Sequence, residues 1–117
     1  MRIMIAAAIA TFAASPVWAE LTKVTDQSQF VQLVNGKTLT RPLIKLTVTP
    51  DGQIEGRGSV WDIAGSWSWQ GGYFCRDLFW GGDALGYNCQ EVQASTDGRI
   101  KFTSDRGAGD SAVFSLR

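Results

Sequence analysis

Few side chains in this sequence are suited to catalysis. Histidine is absent from all 117 residues, which excludes Ser-His-Asp and Cys-His nucleophilic catalysis, histidine-ligated zinc or haem, and an imidazole pH switch. The candidate acids and bases are the carboxylates Asp62, Asp77, Asp83, Glu91, Asp105 and Asp110. A glycosidase needs two carboxylates at a suitable separation, and nothing in the sequence places any two of these across a cleft. The sequence therefore does not favour a carboxylate-based hydrolase.

Aromatic residues are concentrated between positions 61 and 87. They are Trp61, Trp67, Trp69, Tyr73, Phe74, Phe79, Trp80 and Tyr87. Such rings either fill the core of a small domain or line a site for an apolar ligand, a sugar or a partner protein. Alternation along a strand puts rings on both of its faces, so one set is left outside a singly buried sheet. We expect Trp61, Trp80 and Tyr87 to mark a binding surface, and Trp67 and Trp69 to belong to the core.

Arg76 and Asp77 are consecutive residues of the same predicted strand and therefore point to opposite faces. At least one of the two side chains is expected to be buried. A buried charge needs a partner, so the pair indicates either an internal ion pair or a ligand site.

The segment 104–111 is rich in glycine and carries Asp105, Arg106 and Asp110. Its backbone N–H groups and Arg106 could bind an anion, or its aspartates could bind calcium. It lacks both the ligand number of a helix-loop-helix calcium site and the Gly-Lys-Ser/Thr end of a phosphate loop. An ordinary hairpin loop is the interpretation that the sequence favours.

Cys75 and Cys89 are the two cysteines of the chain. Their spacing matches neither a C-x-x-C redox motif nor a zinc knuckle. If 73–80 and 87–93 are antiparallel neighbours, the two cysteines are directly opposed, at a separation that a bridge can span. The pattern predicts a structural disulfide.

One helix precedes a series of strands. Asp26 and Gln29 form a capping box, apolar residues follow on one face, and Gly36 ends the helix predicted over 25–36. From Lys37 onward the apolar period is two, with turn residues every 8 to 14 positions. This predicts a mainly β single domain over 20–117, with about seven or eight antiparallel strands in a meander. The meander forms a small lipocalin-like barrel or a strongly curved sheet.

The first 19 residues have the pattern of a secretory signal peptide, with a basic start, an apolar run over 3–14 and small residues before a cleavage point after Ala19. The run is shorter than the about 20 residues of a spanning helix. We expect a periplasmic or secreted product with no membrane span in the mature chain. Because 11 basic residues balance 11 acidic ones, we expect no nucleic-acid partner.

Three segments carry a resemblance to a known group, and they are 72–78, 86–90 and 102–112. They resemble short exported proteins of Gram-negative bacteria that are often labelled dihydrodipicolinate reductase. Enzymes of that name have a glycine-rich, nucleotide-binding turn from strand to helix and a His/Lys catalytic segment, and this sequence has neither. The resemblance therefore implies a structural group and not a reaction.

Together these features predict a non-enzymatic binding or interaction module that needs no cofactor. Its partner is an apolar or glycan small molecule, or a protein, held by the aromatic-rich strands. An enzyme, either the reductase of the label or a carboxylate-based hydrolase, is the alternative.

Overall fold

The computed structural model describes residues 19–117. The expected signal peptide lies outside this part of the chain except for Ala19. In chain order the elements are β1 Thr22–Lys23, α1 Gln27–Val34, β2 Leu39–Arg41, β3 Ile44–Val48, β4 Gln53–Gly58, β5 Trp61–Gln70, β6 Tyr73–Trp80, β7 Asp83–Ala94, β8 Arg99–Thr103, a single 3-10 turn Asp105–Gly107, and β9 Ser111–Leu116. Within residues 19–117 no helix is long and apolar enough to cross a membrane.

Strands β2 to β9 form a closed antiparallel barrel. Each strand pairs with the next one in sequence, and β9 pairs back onto β2 through Leu39 with Leu116 and Thr40 with Ser115. The sequence predicted either a barrel or a curved sheet, and this last pairing shows that the sheet closes into a barrel. The short β1 pairs with the end of β7.

Helix α1 begins where the sequence predicts. The Asp26 carboxylate accepts a hydrogen bond from the Gln29 backbone N–H at 2.8 Å, and the Gln29 side chain accepts one from the Thr25 N–H at 3.2 Å. The first bond satisfies an N–H group that a helix start leaves unpaired, and the second ties the Gln29 side chain to the residue before the cap. The helix is shorter than predicted by about two residues at each end, and Gly36 lies just beyond it with a positive φ of 71°.

The connections between strands alternate between the two ends of the barrel, because every strand is antiparallel to its neighbours. At one end, which we call the helix end, they are 49–52, 71–72 and 95–98. At the other, which we call the open end, they are 42–43, 59–60, 81–82 and 104–110. Helix α1 lies at the helix end, where the Phe30 ring stacks on Trp69 with centroids 5.3 Å apart.

The core is densest beneath the helix. Phe30 is fully buried, and its ring centroid lies 5.2 Å from that of Trp67 and 5.0 Å from that of Phe74. Trp67 is 7% exposed, as expected for a core residue, while Trp69 is half-buried and packs against the same cluster. The helix thus closes its end of the barrel with apolar side chains.

The register of β6 and β7 confirms the predicted disulfide. Cys75 is directly opposed to Cys89 and bonded to it, and Asp77 is opposed to Tyr87. Strand β7 begins at Asp83, four residues earlier than predicted. The extra length contains a β-bulge, because Leu78 pairs with Gly86 while Phe79 pairs with Ala84.

The turn between β7 and β8 is held by a charged group. The Asp97 carboxylate accepts hydrogen bonds from the Ser95 hydroxyl and from Arg99 Nε, the latter at 3.1 Å. These two bonds hold the pKa of Asp97 below its ordinary value, and the bond from Ser95 makes the larger contribution.

Acid should therefore weaken this turn. Because the folded-state pKa of Asp97 lies below its unfolded-state value, the carboxylate stabilises the fold above the unfolded-state pKa, and this contribution is lost as the pH falls through the folded-state pKa. Ser95→Ala should raise the pKa of Asp97, measured by NMR titration of its carboxyl carbon. Ser111→Ala, at the opposite end of the barrel, should not. An ordinary aspartate titration in the wild-type protein contradicts the prediction.

Candidate functional site

Strand β6 presents different residues to the inside and the outside of the barrel. Phe74, Arg76 and Leu78 line the interior, whereas Cys75 and Asp77 line a shallow groove on the outer wall. The predicted opposition of Arg76 and Asp77 is therefore seen in the structure, with Arg76 as the inward residue.

Inside the barrel is a cavity of about 180 Å³ that is open to one side. Two polar side chains, Arg76 and Gln90, contribute to its wall. The rest of the wall is apolar and consists of Leu39, Leu46, Val48, Ile54, Phe74, Leu78, Phe102, Ala112 and Phe114. We call this space the lumen cavity.

The lumen cavity has a buried floor and a more accessible mouth. Phe74 and Phe102 on its floor are only 4% and 6% exposed, and both rings contact Phe30 of the helix. Leu78 and Ala112, which lie nearer the open end, are half-buried. The gradient in exposure indicates that the cavity is entered from the open end.

Arg76 is half-buried in the wall of the lumen cavity. One guanidinium nitrogen donates a hydrogen bond to the Gly86 carbonyl oxygen at 2.6 Å. Burial lowers the pKa of Arg76, and the negative charge of Asp77 partly opposes this. The ion pairs found within residues 19–117 join Arg57 to Asp62 and Arg99 to Asp97, so neither of them compensates Arg76.

Large apolar side chains surround the open end. Six are substantially exposed there, and we call them the apolar rim: Leu43, Val60, Trp61, Phe79, Trp80 and Leu85. The sequence indicated two of them, Trp61 and Trp80. Leu43 and Val60 lie in connections, and Leu85 is the additional residue of the bulge in β7, so period-two patterning does not apply to them.

Trp61 and Trp80, both predicted for a binding surface, come together at this rim. They line one surface pocket with Gly81 and Asp83. Trp80 is anchored by a 2.8 Å hydrogen bond from its indole N–H to the Gly58 carbonyl oxygen. Trp61 packs on Gly81, where any β-carbon would lie within 3.4 Å of the Trp61 ring.

The other two predicted surface residues lie elsewhere. Tyr87 and Asp77 are opposed on the outer wall beside the disulfide, and Tyr87 is 61% exposed. The predicted set thus divides into one cavity residue, Arg76, two rim residues and two residues of the outer wall. Gln90 and Ala112 of the cavity were not predicted as site residues, although alternation along their strands places both side chains on the inner face.

The glycine-rich loop is docked onto the barrel. The Asn88 amide donates to the Asp105 carboxylate at 2.8 Å and accepts from the Asp105 backbone N–H at 2.9 Å. The Arg106 guanidinium lies over the Tyr73 ring, 5.6 Å from its centroid, and the Asp110 carbonyl oxygen accepts from the Ser104 N–H. Residues 19–117 contain no group of three acidic or cysteine side chains that could hold a metal ion. These contacts fit the hairpin-loop interpretation.

The lumen cavity, with Arg76 in its wall, and the apolar rim are two features that have the capacity to bind a ligand or a partner. No protein-family model matches the chain, and no characterised protein or solved structure is similar enough to count as a relative.

Proposed function

We propose that this chain is a non-enzymatic binding module whose barrel takes a small apolar ligand through its open end. The observation that carries the proposal is the lumen cavity, with its nine apolar side chains and a mouth facing the apolar rim. Ligand sites are typically concave and mostly apolar, with a few polar groups that fix orientation. An eight-stranded up-and-down barrel with an internal cavity is lipocalin-like in layout, a similarity at the level of fold alone.

The volume restricts the ligand. An apolar cavity of about 150 Å³ in another protein accommodates one benzene ring, and the lumen cavity is only slightly larger at about 180 Å³. The buried part of the ligand is therefore one ring or a short alkyl chain. A glycan or a protein partner would have to bind at the rim.

A protein partner is the second candidate, favoured by the six exposed apolar side chains of the rim. An exported location is part of the same proposal, and the disulfide between Cys75 and Cys89 supports it because such bonds persist in oxidising compartments.

Dihydrodipicolinate reductase activity lacks support. The chain enters α1 through Val24, Thr25 and Asp26, so no glycine-rich turn that could bind a pyrophosphate precedes the helix.

Titration with hexanol, a neutral probe with a short alkyl chain, tests the ligand proposal. Saturable methyl NMR shifts are expected at Leu46 and Leu78 of the cavity wall. Ala112→Phe should abolish these shifts, because the new ring fills the cavity. Val113→Phe is the matched control: it makes a similar change at the neighbouring residue, whose side chain is 42% exposed on the outer wall, and should leave binding intact.

Unfolding in urea verifies that both variants fold. Absence of saturable shifts in the wild-type protein, or shifts that persist in a folded Ala112→Phe variant, contradicts a ligand site in the lumen. Rim residues that shift while the cavity residues stay unchanged favour the partner surface instead.

A further inference from the structure

We infer that the ligand of the lumen cavity is a small amphipathic carboxylate, with its apolar tail on the aromatic floor and its carboxylate bound by Arg76. The inference rests on the proposed function, because it assumes that a ligand enters the cavity. It adds the chemical class of that ligand and the residue that selects it.

The position of Arg76 fits such a ligand. On the inward face of β6 it lies between Phe74, on the floor, and Leu78, nearer the mouth. A molecule whose tail contacts Phe74 and Phe102 therefore reaches the guanidinium with its other end. Below this level the wall is apolar except for Gln90, which is paired with Phe74, so Arg76 is the only charged side chain that lines the cavity within residues 19–117.

The guanidinium has donors to spare. An arginine carries five N–H donors in a planar fork, and the one hydrogen-bond partner of Arg76 within residues 19–117 is the Gly86 carbonyl oxygen. A carbonyl group does not neutralise the charge. Asp77, the nearest residue in sequence that could, belongs to the outer wall. A half-buried cation loses part of its hydration, and a carboxylate compensates for this with two parallel hydrogen bonds.

Other arginines of the described chain have different surroundings. Arg57 faces Asp62 and Arg99 faces Asp97, while Arg106 lies over the Tyr73 ring. Arg41, at the open end, lies 5.7 Å from the centroid of Phe114, a residue of the cavity wall.

Hexanoate and hexanol form a matched pair of probes, because they share a short alkyl tail and differ in the charge of the head group. We expect the wild-type protein to bind hexanoate at least about 10-fold more tightly than hexanol, the size of effect typical of a hydrogen-bonded charge. Arg76→Gln should reduce hexanoate affinity by about the same factor and leave hexanol affinity unchanged. Isothermal titration calorimetry measures both.

Two further variants control for charge and folding. Arg57→Gln removes the same charge from an exposed position on the outer wall and should leave both affinities unchanged. Arg76→Lys keeps the charge but loses the planar fork, so its hexanoate affinity should lie between those of the wild-type protein and Arg76→Gln. The wild-type comparison of the two probes requires no substitution and stands even if a variant fails to fold.

The outcomes separate the inference from the proposed function. Equal binding of hexanoate and hexanol in the lumen overturns the role of Arg76 and leaves the ligand cavity in place. Preference for hexanoate that survives Arg76→Gln also overturns it. If neither probe binds, the proposed function fails together with the inference.

Discussion

Replacement of Trp67 by alanine should lower the free energy of unfolding by about 3–5 kcal/mol, the range typical of a buried aromatic residue. Trp67 is 7% exposed, and its ring lies 5.2 Å from Phe30 and 5.6 Å from Phe74, centroid to centroid. Its indole N–H donates to the Thr49 carbonyl oxygen at 2.9 Å. The truncation removes these contacts, leaves space beneath the helix and deprives Thr49 of its partner. Unfolding in urea, followed by circular dichroism, measures the loss.

Trp80→Ala is the matched control, since it deletes the same ring from the open end. The sequence alone predicts a cost within about 0.5 kcal/mol, as for other exposed residues. The structure raises this expectation to about 1 kcal/mol, because the 40% exposed ring also donates a hydrogen bond to the Gly58 carbonyl oxygen. Equal, large losses in both variants would place Trp80 in the core and remove the support for a binding surface at the rim.

Local features of the sequence were sufficient to predict the helix, the strands and one long-range contact, the pairing of Cys75 with Cys89. Asp26 and Gln29 marked the start of the helix because a capping box satisfies specific N–H groups. Strict alternation assigned Arg76 and Asp77 to opposite faces. The opposition of Cys75 and Cys89 followed from a turn expected over 81–83. The structure turns at 81–82 instead, and the additional residue Leu85 restores the same register at the cysteines.

The bulge in β7 could not be predicted in the same way. The register inferred from the cysteines continues only as far as Leu78 and Gly86, and Leu85 then interrupts it. An additional residue in one strand changes the pairing without changing the composition of either strand. Gly86, with its φ of 84°, is the residue that accommodates the irregular backbone there.

The cavity was beyond the reach of sequence patterns for a different reason. Its wall is assembled from seven strands of the barrel, and its size depends on how their side chains pack and not on which face each one occupies. Closure through Leu39 and Leu116 pairs residues that lie far apart in the sequence, and no local signal specifies that pairing. Alternation along a strand could place an arginine on one face of the sheet, but only the closed barrel shows that Arg76 borders an apolar space.

Loss of the disulfide should also have a large effect. Replacement of both Cys75 and Cys89 by serine should lower the free energy of unfolding by about 2–5 kcal/mol, because a bridge restricts the unfolded chain. The bond spans a sequence separation of 14 residues and joins β6 and β7, which carry Phe79, Trp80 and Leu85 of the rim. For a loop of this size the chain-entropy estimate is roughly 3 kcal/mol. Urea unfolding without reductant compares the variant with the oxidised protein.

A reducing agent provides the internal control for this prediction. It should lower the stability of the wild-type protein to about that of the double-serine variant and leave the variant itself unchanged. Cys75 is 1% exposed and Cys89 is half-buried, so reduction should be faster in urea than in the folded protein. Protein isolated from an oxidising compartment should contain no free thiol. Labelling of both cysteines before reduction, or an unfolding curve that reductant does not shift, would show that the bridge does not support the fold, and the hairpin would then depend on strand pairing alone.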